Sequence, residues 1–303
     1  MLFYNLFFAI IVIMKKDTLD KRTKIANDIM FYIYTHIDIN IDIEGLSYDL
    51  GISKFYMHRV FKEAFGKNIY ESIKSIRLQK ASNLLITNKL STISNIANMC
   101  GYSSQTSFLK VFKNRFDMTP KEWKNGGYKI YSSAILEQFE LATNSTADFT
   151  NVEPTIVKMP QMYSYYIRNQ GYNKNIKKTW QKLYTWVLGN DFKQYQQIAL
   201  YHDNPTITPL ESCQYIACIV TDEMIVTKSE LPKFIISDGI YAKFDLVGVY
   251  GDVLKFIHWV FHEWLPQSGY EATTKPSYSI YKKNHFLSED DSFELSFYLP
   301  IAF

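Results

Sequence analysis

Two short runs hold the side chains best suited to chemistry. In Leu46 to Phe65, LSYDLGISKFYMHRVFKEAF, the residues Phe55, His58, Arg59 and Lys62 share one face of a helix. Positive charge, hydrogen-bonding groups and a ring on one face suit the base edges and phosphates of a DNA major groove. In Ile96 to Phe116, IANMCGYSSQTSFLKVFKNRF, the outward set is Gln105, Thr106, Leu109, Lys110 and Lys113. Gln can pair bidentately with adenine, and Arg or Lys can approach guanine. Catalytic patterns are weaker. His258 and His262 stand four apart beside Glu263, but a zincin needs Glu directly after the first His, and Trp259 stands there. The chain shows neither a glycine-rich phosphate loop nor a nucleophile elbow, so the expectation is a protein that is not an enzyme and uses no cofactor.

The elements that must carry these residues are a short helix, a glycine turn and a capped second helix, twice over. In the first copy Gly51 makes the turn, Ser53 is the expected N-cap, and Met57, Val60, Phe61 and Ala64 form the inward stripe. The second copy follows about fifty residues later, with Ile96-Ala97, Gly101 and Ser103 in place of Leu46-Ser47, Gly51 and Ser53, and with Phe108, Val111, Phe112 and Phe116 inward. A first amphipathic helix is expected from Thr23 to His36, and a connecting helix from Asn68 to Ile86. Two helix-turn-helix units on one connector can enter successive major grooves, roughly 34 Å apart.

Charge agrees with that division. Residues 15 to 125 hold 18 Lys and Arg against 11 Asp and Glu, whereas residues 126 to 303 hold 15 against 19. A basic first half is the electrostatic footprint of phosphate binding, and an acidic second half argues against a further nucleic-acid surface. At 303 residues the chain should hold two domains. Cys100, Cys213 and Cys218 lack metal or redox spacing and are expected as reduced thiols of a cytoplasmic protein. Residues 1–14 are almost wholly apolar, yet too short for a membrane span. We read them as a leader outside the translated protein, which then starts at Met14; the alternative is a short membrane-associating helix. No stable membrane association is expected.

From Glu44 to Lys124 the sequence resembles the DNA-binding domain of the AraC/XylS family of transcription regulators. The resemblance rests on Gly51-Ile52-Ser53, Arg59-Val60-Phe61-Lys62, Gly66, the Tyr70, Ile73, Arg77, Ala81, Leu84-Leu85 spacing, Ile96-Ala97, Gly101-Tyr102, and Phe108, Phe112-Lys113, Phe116 and Pro120. It implies base-contacting roles for Phe55, His58 and Arg59 in the first recognition helix, and for Gln105, Thr106, Ser107 and Lys110 in the second. Asp117 stands where many members have Gly, and Trp123-Lys124 where Tyr-Arg is usual.

Residues 126–153 bring Gly126-Gly127 and a Thr/Ser/Asn run, the composition of a linker, with a short helix at Ser133 to Leu141. Beyond it the pattern changes to strand-helix-strand-strand, and does so twice. Tyr163–Ile167, a helix over Asn175–Leu188, Gln197–Tyr201 and Tyr215–Val220 are followed by Ile240–Leu246, a helix over Val253–Leu265, Ser277–Tyr281 and Phe293–Leu299. This doubled unit and the terminal Tyr298-Leu299-Pro300-Ile301 resemble the GyrI-like small-molecule-binding domain. The resemblance implies a groove of aromatics with an acidic residue that receives cationic, lipophilic effectors. Tyr163, Tyr165, Trp180, Tyr201, Trp259, Tyr278 and Tyr281 are the expected walls. Glu294 is the expected anionic anchor, displaced by two residues from Ser296, where many members carry Glu.

The expected architecture is multidomain: an apolar leader (1–14), an all-α double helix-turn-helix domain (15–125), a linker (126–153) and an α+β domain of two strand-helix-strand-strand repeats (154–303). The expected function is a bacterial, cytoplasmic regulator that binds double-stranded DNA, senses a small effector and contacts RNA polymerase. The alternative is a GyrI-like hydrolase or drug-sequestering protein with a DNA-binding appendage.

Overall fold

The computed structural model describes residues 21–173, 175–221 and 231–302. The apolar leader and the expected start at Met14 lie outside the described residues. Residues 21–35 form helix α1. The helices α2 (Ile43–Asp49) and α3 (Lys54–Phe65) follow, then α4 (Ile69–Thr87). Asp42 caps α2 by accepting from the Glu44 and Gly45 N–H groups, and Ser53 caps α3 by accepting from Tyr56 N–H. Between them Gly51 takes φ +64°, a turn conformation that favours glycine. Met57, Val60, Phe61 and Phe65 of α3 pack with Ile29, Ile33, Leu46, Ile69 and Ile73 in one apolar cluster. The Arg77 guanidinium donates to Ile37 O at 3.1 Å and Ile39 O at 2.7 Å, tying α4 to the end of α1.

The described residues up to Arg77 form one compact unit, and those from Leu78 onward a second. The second unit begins within α4 and contains α5 (Ile93–Met99) and α6 (Gln105–Phe116). Thr92 caps α5 and Gly101 turns the chain at φ +74°. The cap of α6 differs from expectation: it is Ser104, not Ser103, and its hydroxyl accepts from Ser107 N–H. The turn is one residue longer than in the first copy, which keeps Phe108, Phe112 and Phe116 inward against Trp123, Leu84, Leu85 and Ile96. At the far end of α6, Asp117 takes φ +53° and donates its N–H to Lys113 O.

The expected linker is instead helical and docked. A single turn, α7 (Pro120–Glu122), opens with a Thr119/Glu122 capping box and leads through Trp123–Gly127 into α8 (Tyr128–Leu136) and α9 (Glu140–Thr143). Its small polar residues do not keep it in solvent, because they find buried partners. Ser132 is fully buried and its hydroxyl donates to Thr206 O at 2.6 Å. Ser145 Oγ donates to Asp252 Oδ1 at 2.6 Å, and Lys255 Nζ to Ser145 O at 2.6 Å.

The strands are β1 (Thr155–Met159), β2 (Met162–Gln170), β3 (Gln196–Tyr201), β4 (Gln214–Val220), β5 (Lys233–Ile236), β6 (Gly239–Val249), β7 (Glu271–Ala272), β8 (Ser277–Lys283) and β9 (Ser292–Ala302). Helix α10 (Asn175–Gly189) lies between β2 and β3; α11 (Asp252–Trp259), a wide turn over Val260–Trp264 and α12 (Leu265–Ser268) lie between β6 and β7. Among the described residues the sheet runs β1-β6-β9-β8-β3-β4-β2-β5, with β7 beside β9. The repeats β2-α10-β3-β4 and β6-α11-β8-β9 therefore face each other through β3 and β8. The edge strands are exchanged: β1 precedes the first repeat but pairs with β6, and β5 precedes the second but pairs with β2. Strand alternation splits the core. Tyr165, Tyr201, Tyr215, Phe244, Tyr281, Leu295 and Phe297 face α10 and α11. Tyr166, Ile198, Leu200, Cys218, Tyr241, Tyr278 and Tyr298 face the other way. The architecture is thus all-α followed by α+β, and among the described residues no helix is long and apolar enough to cross a membrane.

Asp117 at the end of α6 holds a left-handed conformation that costs an L-residue roughly 1 kcal/mol and glycine almost nothing. Asp117→Gly is expected to stabilise the protein by about 0.5–1 kcal/mol. A thermal melt followed by circular dichroism checks this, and a lowered midpoint contradicts the cap geometry.

Candidate nucleic-acid interface and effector cavity

The predicted reading faces are solvent-exposed on capped helices. On α3, Phe55, Arg59 and Lys62 are exposed, and His58 is half-buried with its ring centroid 5.6 Å from that of Tyr70. Burial and the nearby Lys54 ammonium hold the His58 pKa below its ordinary value, so at neutral pH the ring is an uncharged imidazole with one donor and one acceptor. The Arg59 guanidinium carbon lies 5.2 Å from the Tyr56 ring centroid, a cation–π contact that limits where the side chain goes. Lys54 Nζ meets Glu44 Oε1 at 2.9 Å and links α3 to α2. On α6, Gln105, Thr106, Ser107 and Lys110 are all exposed, while Leu109 is half-buried. The opposite faces are fully used by the two cores, so the exposed residues are free of packing duty.

The aromatic residues of the second half form a site, although not the expected set. Phe139, Tyr172, Tyr201, Tyr215, Tyr281 and His285, with Tyr250, Val253, Leu254 and Phe286, line a small, partly open cavity of ≈ 30 Å³. That is about the room one water needs. Tyr201 and Tyr215 are direct cross-strand partners on β3 and β4. Trp180 Nε1 donates to Tyr215 OH at 2.9 Å, and Tyr201 OH meets Ser279 Oγ at 3.0 Å. Burial pushes the Tyr201 phenol up to about 12 and holds those of Tyr172, Tyr215 and Tyr281 well above their ordinary value, so all four remain neutral. Tyr172 OH and His285 Nδ1 are buried without a hydrogen-bond partner among the described residues. Unsatisfied buried groups carry a desolvation cost that a hydrogen-bonding guest would relieve. Tyr281 also lines an open groove of ≈ 500 Å³ with Tyr184, Tyr195, Gln197, Lys282, Lys283 and Asn284.

Of the eight expected effector residues, only Tyr201 and Tyr281 line the cavity. Trp180 supports it from behind through Tyr215. Tyr165 is buried against Trp186 and Phe192, Trp259 packs on Phe244 and Phe256, and Tyr163 is half exposed at the start of β2. Two placements are corrections. Tyr278 stacks on Tyr298 on the opposite side of the sheet, ring centroids 4.8 Å apart. Glu294 shares that opposite side because its neighbours Phe293 and Leu295 point to the helices; its carboxylate instead meets Lys282 Nζ at 2.7 Å. Among the described residues no carboxylate lines the cavity or the groove. Tyr215 was reachable from sequence, since it starts a predicted strand with the parity of Ala217 and Ile219. Phe139 carried no signal, because it lies in the segment expected as a linker.

Two family models match the chain. A helix-turn-helix domain model matches residues 46–126, and a GyrI-like small molecule binding domain model matches residues 152–302. The xylose operon regulatory protein of Escherichia coli K12 is 40% identical over 96 residues, which are 32% of this chain and 24% of that protein. The chain thus spans about a quarter of the length of that relative. The regulatory protein SoxS of Escherichia coli K12 is 33% identical over 102 residues, 34% of this chain and 94% of SoxS. Among solved structures, the C-terminal domain of EcmrR is similar over 50% of this chain and 99% of its own, with 13% identity and a TM-score of 0.40.

Burial lowers the His285 pKa from 6.5 to about 3. The unfolded chain therefore binds a proton below about pH 6.5 that the folded chain refuses until about pH 3, and stability present above this window is lost as pH falls through it. From this side chain alone the loss at pH 5 is about 2 kcal/mol. Urea midpoints at pH 7 and pH 5 should differ less in His285→Gln than in the parent by that amount, whereas an equal pH response contradicts a buried, neutral His285.

Proposed function

Because the chain belongs to the AraC/XylS family of transcription regulators, we propose that it is a cytoplasmic regulator that reads DNA through α3 and α6 and senses a small molecule through its second half. The observation that carries this reading is the doubled, capped recognition helix with Phe55, His58, Arg59 and Lys62 exposed or half-exposed on one copy and Gln105, Thr106, Ser107 and Lys110 exposed on the other. In this reading each helix enters a major groove, Arg59 and Gln105 recognise guanine and adenine edges, and Lys62 and Lys110 approach phosphates. The bound regulator contacts RNA polymerase, and its role is binding rather than catalysis.

The effector occupies the tyrosine cavity and extends into the groove that shares Tyr281. Neutral phenols and the His285 imidazole in the cavity, with Lys282 and Lys283 rather than carboxylates among the described residues of the groove, favour an uncharged aromatic or lipophilic molecule with hydrogen-bonding groups over a cation. Tyr172 OH and His285 Nδ1 are the groups it would satisfy.

Selection of duplexes from random DNA should enrich a motif with two half-sites. On that duplex Arg59→Ala should cost about 1–3 kcal/mol and relax specificity at one position, and Lys62→Ala should lower the slope of log affinity against log salt by about 1. Salt-sensitive binding without any enriched sequence would reduce both helices to a basic surface. For the cavity, a thermal-shift screen of uncharged aromatic compounds should yield binders whose effect is lost in Tyr172→Phe, and hits restricted to cations would overturn the ligand class.

A further inference from the structure

The cavity and the recognition helix α6 belong to the same compact unit, and two routes join them. The loop from His202 to Cys213 leaves the cavity wall at Tyr201 and returns to it at Tyr215. Its residues 202–208 are all buried, unusual for a loop. At its far reach Ile207 enters the apolar core of the second helix-turn-helix with Phe108, Phe112 and Phe116, and Asn204 N–H donates to Gln79 Oε1 on α4 at 3.0 Å. A second route runs through Phe139, a cavity wall that follows α8. Phe139, Leu136 and Tyr131 pack in one small cluster with Tyr172, Leu210 and Leu254, and Tyr131 packs at the same time against the α6 core, 5.3 Å from Phe116. Both routes end on one side chain. The Arg115 guanidinium, in the last turn of α6, donates to Tyr131 OH at 2.8 Å and to Ile207 O at 2.7 Å.

We propose that Arg115 is the positioning residue through which occupancy of the tyrosine cavity sets the pose of the recognition helix α6. The proposal rests on the reading that this cavity takes the effector. The mechanism follows from the size of the cavity. With room for one water, it admits a larger guest only if a wall yields. The walls on β3, β4 and β8 are held by sheet pairing and by the Trp180 and Ser279 contacts. The half-buried Phe139 lies outside the sheet, and its hydrogen bonds, to Leu136, Ala142 and Thr143, are local ones that move with its own turn, so it is the wall that yields. Displacing it shifts α8 and Tyr131, and Arg115 carries that shift to α6 against the fixed Ile207 carbonyl. Arg suits the task because its planar fork holds two acceptors at once, which Lys cannot reproduce.

The test is a cycle that needs no effector. Val253→Phe fills the cavity from within, and Arg115→Lys keeps the charge but removes the fork. In the parent background Val253→Phe should change amide exchange along Gln105–Phe116 and change affinity for the selected duplex at least fivefold. In the Arg115→Lys background the same substitution should change either by less than twofold. Equal responses in both backgrounds, or none in the parent, overturn the assignment. Should Val253→Phe fail to fold, Phe139→Ala replaces it in the same cycle with the same expectations. Amide exchange decides the role of Arg115 even if no duplex is enriched, and the compound screen tests the cavity separately, so failure here is distinct from failure of the regulator reading.

Discussion

The pairing of β3 with β8 is the interaction on which the second half of the molecule depends. Gln197 to Tyr201 run antiparallel to Ser277 to Tyr281, and this single ladder joins β1-β6-β9-β8 to β3-β4-β2-β5, which would otherwise be two four-stranded sheets. Joined, and with β1 and β5 exchanged between the repeats, they form one continuous sheet whose helix-facing side is buried. The same ladder places Tyr201 and Tyr281, one from each repeat, at the centre of the helix-facing side. A cavity there is a consequence of the duplication, since neither half alone could wall it.

Burial of polar chain is the second theme. The loop through residues 202–208 and the segment after Trp123 are rich in Ser, Thr, Asn and Asp, and a packed position is costly for such residues unless each group is satisfied. Here most are. Ser132 has one hydroxyl proton, which goes to Thr206 O, so Oγ accepts from Nε2–H of His262 at 2.6 Å and the tautomer of that ring follows. Asn204 Oδ1 accepts from both the N–H and the hydroxyl of Thr206, and Asp203 accepts from Gln214 N–H at 2.9 Å. Breaking one such bond leaves a buried partner stranded, a cost of about 1–3 kcal/mol. The seam between α8, the loop and the helix-turn-helix core is therefore specific in a way that an apolar contact is not. The exposed pairs Lys129–Glu263 and Lys282–Glu294 contribute far less.

Most of the helical half was legible in the sequence because its signals are local. Periodicity, a glycine turn and a capping serine each act within a few residues, and they placed Phe55, Arg59, Gln105 and Lys110 on exposed faces. The cap at Ser104 was misplaced by one residue because Ser103 and Ser104 are equally able to cap, and only the packing of Phe108, Phe112 and Phe116 decides between them. The strands of the two repeats were legible for the same reason, whereas β1, β5 and the short β7 were not. Their sidedness was not used fully: Glu294 and Tyr278 have even numbers on strands whose helix-facing residues are odd, a parity that excludes them from the cavity of Tyr201 and Tyr281.

What the sequence by itself determined is the identity and order of the elements: two helix-turn-helix copies with their reading faces, then two strand-helix-strand-strand repeats. These follow from backbone propensity, periodicity and capping, which need no distant partner. Only the tertiary structure decided which tyrosines meet across β3, β4 and β8, that the Ser/Thr-rich segment docks as α8, and that Arg115 reaches both Tyr131 and Ile207. Those contacts join residues as far apart as Arg115 and Ile207 in the chain. Nothing in local spacing records such a contact; it arises when the burial of apolar surface brings the elements together and the polar groups carried in must find partners.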